Sequence, residues 1–158
     1  MRFPALVSPL ARMLWHLPPS SRVRRAVVAR AWRYVFEAAN RRDLPAVFLL
    51  FHPDGESQFP SELGAVGMPT RTSGRAERME AQRQWNEAWQ DFRQAPIEVI
   101  DLGDRLLALA HVTATGLSSG ASSEIEIAYL VRISGGQVTH ERLFLSHAEA
   151  RGAAGIAE

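Results

Sequence analysis

The stretch from 101 to 145 reads DLGDRLLALA HVTATGLSSG ASSEIEIAYL VRISGGQVTH ERLFL, and its reading decides the fold. Three runs within it are apolar, β-branched or alternating: Arg105–Thr115, Ser123–Ile133 and Gln137–Leu145. Turn residues bound each run. Gly103-Asp104 opens the first, Gly116 to Ser122 separates the first two, and Ser134-Gly135-Gly136 turns tightly into the third. Successive strands joined by short turns pair antiparallel, so the stretch predicts a meander.

The chain before it reads as mostly helical. Ser20-Ser21 can cap a helix from about Arg22 to Asn40, on which Val28, Ala31, Trp32, Val35, Phe36 and Ala39 make one apolar stripe. Asp43 caps a short second helix through about Phe51, and His52-Pro53-Asp54-Gly55 breaks it. Glu56–Phe59 reads as a short strand, and Ser61–Gly74 as a loop with a turn or strand at Ala65–Met68. A third helix is expected over Arg75–Arg93, with Met79, Trp85, Ala88, Trp89 and Phe92 on its apolar side. Ile97–Leu102 is an edge-like strand, and His147–Ala154 a closing helix. The simplest packing is α+β: one curved sheet with helices laid on a face.

Length and composition narrow the function classes. A chain of 158 residues suggests one domain. The net charge of +1 gives no overall electrostatic case for nucleic acid, and the basic run Arg22, Arg24, Arg25, Arg30 and Arg33 reads as a solvated helix face. All 18 basic residues are Arg, which we read as genome composition. The absence of Cys removes disulfides, thiolate catalysis and Cys-based zinc sites. No apolar run is long enough to span a bilayer, and the expected location is the cytoplasm. His140 and His147 lack metal-ligand spacing and the glycine turns lack a phosphate-binding pattern, so neither metal nor cofactor is expected.

Residues 1–21 stand apart, with Pro4, Pro9, Pro18 and Pro19. They read as a loosely attached extension. As a secretory signal they are poor, because Arg12 and His16 interrupt the apolar stretch. A surface helix presenting Leu10, Met13, Leu14 and Leu17 is the alternative. The domain proper is expected over 22–155, with 156–158 as a tail.

The order of elements, with several phrases, resembles the SnoaL-like group of the nuclear transport factor 2-like superfamily. The phrases are Arg42-Asp43-Leu44, His52-Pro53-Asp54, Trp85–Trp89 with Asp91-Phe92-Arg93, Ile100 to Arg105, the Gly116–Gly120 turn and Gly136-Gln137-Val138. Ala148-Glu149-Ala150 with Ala153-Ala154-Gly155 closes the pattern. The resemblance implies a cone: a strongly curved antiparallel sheet packed on three N-terminal helices, with a pocket at its open end. It also implies a relationship to ketosteroid isomerases, polyketide cyclases and limonene epoxide hydrolases.

Strand alternation offers two inward sets on each strand. On the second long strand Ile125, Ile127, Tyr129 and Val131 should face in, while Glu124, Glu126 and Arg132 face out. Periodicity leaves the first and third strands open. The resemblance implies that His111 and Thr113 face in on the first strand, where the hydrolases carry Arg and Asp. It implies Glu141 and Leu143 inward on the third, with Leu143 at the position of the family's acid/base Asp, and Glu56 and Gln58 inward on the short strand. Because the family acid is missing, epoxide hydrolase activity is not expected. The expected catalytic groups are Glu141, His111 and Glu56, with Tyr129 as a donor. Trp32, Phe36, Gln58, Trp85, Trp89, Thr113, Tyr129 and Leu143 are expected to line the pocket. The expected ligand is a small apolar or carbonyl compound, handled by cofactor-free isomerase, cyclase or hydrolase chemistry. The competing expectation is a non-catalytic ligand-binding or dimerisation module. A homodimer is expected through the outer sheet face, using Leu130, Phe144 and Val138.

Overall fold

The computed structural model describes residues 13–156, so the expectations placed on 1–12 and 157–158 lie outside the described residues. Helix α1 (Arg22–Asn40) starts where Ser21 accepts a hydrogen bond from the Arg24 amide. A one-turn helix α2 (Leu44–Val47) follows, capped by Asp43. Strand β1 (Phe51–Gln58), a 3-10 turn (Ser61–Val66) and strand β2 (Arg71–Ser73) lead to α3 (Arg75–Glu87). Then come β3 (Trp89–Asp101), β4 (Arg105–Gly116), β5 (Ser122–Ser134), β6 (Gln137–Phe144) and α4 (His147–Ala154).

The six strands form one unclosed sheet in the order β2-β1-β6-β5-β4-β3. The meander β3–β6 is antiparallel, as the turns require. Gly135 and Gly136, with φ 56° and 77°, make the two-residue turn that puts Ser134 opposite Gln137. The sheet is not antiparallel throughout: β1 pairs parallel with β6, which the 78 residues of chain between the end of one strand and the start of the other allow.

The third helix ends at Glu87, six residues before the expected Arg93. Trp89–Arg93 instead pairs with β4, and Phe92 and Gln94 alternate inward. Pro96 sits on this edge strand, where a missing N–H is tolerated, beside a bulge at Pro96/Glu98. Likewise β1 begins at Phe51, where a helix end was expected.

Helices pack on both faces of the sheet, on the outer one over only part of its area. The inner face packs Ala108, Ala110, Val112, Ala114, Ile127 and Leu143 beneath Phe36 of α1 and Trp85 of α3. The outer face packs Leu107, Leu109, Ala128 and Phe144 under Ala150 and Ala154 of α4. The outer face therefore does not present the expected dimer surface. Phe144 is buried under α4, Leu130 packs beside it, and Val138 packs inward against Leu106 and Val131.

Arg24 is not a solvated residue. It is 3% exposed and grips both carboxylate oxygens of Asp101 at 2.7 and 2.8 Å, together with the carbonyl oxygens of Gly103, Trp15 and Leu17. The Trp15 ring lies 4.2 Å from its guanidinium. The described part of the N-terminal extension is thereby fastened to the domain. None of the described helices is long and apolar enough to cross a membrane.

Candidate functional site

A cavity of about 150 Å³ lies between α1, α2 and the inner face of the sheet. The stripe predicted on α1 supplies much of its wall through Val28, Ala31, Trp32, Val35 and Phe36. Trp32, Phe36 and Tyr129 form a three-ring cluster, with the Tyr129 centroid 6.3 and 6.1 Å from the other two. A second cavity of about 20 Å³ sits deeper, against Phe59, Leu63, Met68, Trp85, Ile127 and Leu143. Arg78, Gln82, Phe92, Gln94 and Tyr129 border both.

The polar chemistry gathers where Arg78 of α3 reaches Glu141 of β6. Glu141 is 9% exposed and accepts from Arg78 Nε at 2.7 Å and from Ser57 Oγ at 2.8 Å. Arg78 Nη2 reaches the other carboxylate oxygen at 3.5 Å, and Nη1 donates to Gln82 at 3.0 Å. Gln82 donates in turn to Asn86, one turn on along the helix. Phe48 and Phe59 lie 5.0 and 4.7 Å from the guanidinium. Two charges removed from water are retained only when each is paired and hydrogen-bonded, and both are.

Tyr129 closes the second half of the site. Its hydroxyl donates to Gln94 Oε1 at 2.9 Å, and Gln94 is fixed through its backbone by a two-way bond with the Asn40 side chain. Burial first, and the Glu141 charge second, push the phenol above its ordinary pKa, against the pull of Arg78 and the Gln94 bond. Tyr129 therefore stays a hydrogen-bond donor across the working pH range.

Of the expected site residues, Glu141, Tyr129, Trp32 and Phe36 border the larger cavity, and Trp85 and Leu143 the smaller. Trp89 packs tilted against Trp85, with centroids 5.3 Å apart, but borders neither cavity. His111 and Thr113 face the other way. The His111 side chain is 41% exposed on the outer face, with Nε2 3.8 Å from Glu124, and Thr113 is exposed. Strand β4 is apolar on both faces, so alternation carried no contrast; small alanines take the inner side, where the helices press close. Glu56 and Gln58 are displaced too. Glu56 pairs with Arg71 at 2.7 Å at the surface, Gln58 is exposed, and Ser57 between them points inward with no exposure. A bulge between Phe51 and Glu56 sets that register.

Arg78, Ser57, Gln82, Asn86 and Gln94 went unread. One signal was present: Arg78 lies on the same helical stripe as Ala81 and Trp85, three and seven residues on, and a charge on an apolar stripe needs a buried partner. Among the described residues no group of three or more His, Asp or Glu is placed to hold a metal ion.

Comparisons with known proteins agree with this architecture. A protein of unknown function with the nuclear transport factor 2-like fold, from Burkholderia pseudomallei, is 25% identical, with TM-score 0.68 over 78% of this chain and 94% of that one. TerC, crystallised with polyporic acid, is 20% identical, with TM-score 0.67 over 80% of this chain and 97% of its own. IdmH, a putative polyketide cyclase from Streptomyces antibioticus, is 17% identical, with TM-score 0.62 over 80% and 96%. No curated protein matches the sequence. The family model of the SnoaL-like domain matches residues 32–141, which run from the α1 cavity wall to the Glu141 carboxylate; the chain belongs to the SnoaL-like family.

Proposed function

We propose that this protein binds a small, largely apolar molecule carrying one oxygen function. The observation that carries this reading is a polar cluster, Arg78, Gln82, Asn86, Gln94, Tyr129 and Glu141, set into a cavity wall that is largely apolar, with Arg24 at its edge already paired to Asp101. Apolar walls supply the affinity, and a few fixed polar groups orient the ligand. A thermal-shift screen of small oxygenated aromatic compounds tests it. Binding should be weakened by Val35→Trp, which fills the cavity, and unchanged by His111→Ala, which lies outside it. Loss of binding in His111→Ala, with Val35→Trp silent, would sink the reading.

A second reading is cofactor-free acid–base catalysis, and one observation favours it. A carboxylate, Glu141, and a phenol held protonated, Tyr129, border the same cavity. A carboxylate and a phenolic donor facing one cavity can move a proton at a carbon next to a carbonyl. Deuterium exchange at that carbon of a bound ketone reads it. Exchange lost in Glu141→Gln while binding persists supports chemistry; binding with no exchange in the wild type leaves a binding protein.

A further inference from the structure

The two cavities are unequal, and the groups between them are not interchangeable. Resting on the small-molecule reading above, we infer that the ligand is a neutral aryl methyl ketone or a close equivalent: one ring, a carbonyl at the polar waist, and a single carbon beyond it.

The size argument comes first. A cavity of about 150 Å³ with apolar walls takes one benzene-sized body. The inner cavity, at about 20 Å³, admits a single water- or methyl-sized group. The walls it does not share with the larger cavity, Phe59, Leu63, Met68, Trp85, Ile127 and Leu143, are all apolar, so beyond the polar waist a methyl is the favoured occupant.

The waist then fixes the function between ring and methyl. Arg78 spends Nε–H and one Nη2–H on Glu141 and one Nη1–H on Gln82, which leaves two of its five N–H groups unused among the described residues. Gln82 keeps one amide N–H and Gln94 both, while their side-chain oxygens already accept from Arg78 and Tyr129. The strongest unused groups are thus charge-assisted donors, which call for an acceptor oxygen. That acceptor is uncharged. Arg78 and Glu141 cancel each other, and a carboxylate would add a buried charge with no counterion.

Calorimetry on the full chain with acetophenone, benzaldehyde, isobutyrophenone, benzoate and ethylbenzene tests this. Acetophenone should bind about fourfold more tightly than benzaldehyde, the value of one buried carbon. Isobutyrophenone should bind more weakly than acetophenone, because its branched cap exceeds the inner cavity, and benzoate and ethylbenzene more weakly still. Leu143→Phe or Ile127→Phe, each filling the inner cavity, should erase the preference for acetophenone over benzaldehyde. The ranking is read on the wild type, so it stands even where a variant does not fold. Equal affinity for the three carbonyl compounds, or tightest binding of benzoate, would overturn the inference and leave the small-molecule reading standing. Failure of every probe, ethylbenzene included, would remove that reading and the inference with it.

Discussion

Glu141 has its charge answered by Arg78 and by Ser57, and the consequence is asymmetric. Removing Arg78 alone strands a buried carboxylate, so Arg78→Met should cost about 3–5 kcal/mol in chemical denaturation. Removing both charges, as in Arg78→Met with Glu141→Leu, should recover most of that loss. Tyr129 makes a different prediction, in pH. Its folded-state pKa is raised above the usual 10, so the folded state holds the proton more tightly. The contribution is fully present below pH 10 and is lost as pH rises from there toward the folded-state value. Melting temperatures measured upward from pH 9 should fall less steeply in Tyr129→Phe than in the wild type.

At the scale of elements, α4 is the piece that makes the meander an interior sheet. Its N-terminus depends on Ser146, whose side chain accepts from the Glu149 amide, and Ser146→Ala should lower stability by about 1 kcal/mol in urea unfolding. The same helix explains which parts of the site were legible. Strand β5 read correctly because Glu124 and Glu126 alternate with Ile125 and Ile127. Strand β4 did not, because Leu107 and Leu109 are as apolar as the inward set, and only α4 decides which side they serve. Helix α1, expected from about Arg22 to Asn40, and α4, expected over His147–Ala154, have those extents, with Ser21 capping the first and Gly155 ending the second. The α3–β3 junction was not legible: Trp85, Trp89 and Phe92 suit a helix by spacing, and cross-strand pairing with β4 overrides that pattern. The polar half of the site was hidden because Arg78 and Ser57 acquire meaning only from a partner far along the chain.

For the whole molecule, α4 leaves open two parts of the outer sheet face, His111, Thr113 and Glu124 toward one end of the strands and Arg132 and Arg142 toward the other. Any association of copies through that face would rest on charged contacts rather than on the expected apolar residues, so a dimer seen by sedimentation velocity at low salt should weaken as salt is added. A monomer at both ionic strengths removes the expectation. The parallel seam between β1 and β6 has a consequence in time. The meander can zip up hairpin by hairpin, each closure local, whereas the seam joins Ser57 to Glu141 across 84 positions. The entropy of that long loop makes docking of β1, β2 and α3 the late event in folding. Mutations at the Arg78–Glu141 contact should then leave refolding rates nearly untouched and quicken unfolding, which ties the lifetime of the native state to the ion pair beside its cavity.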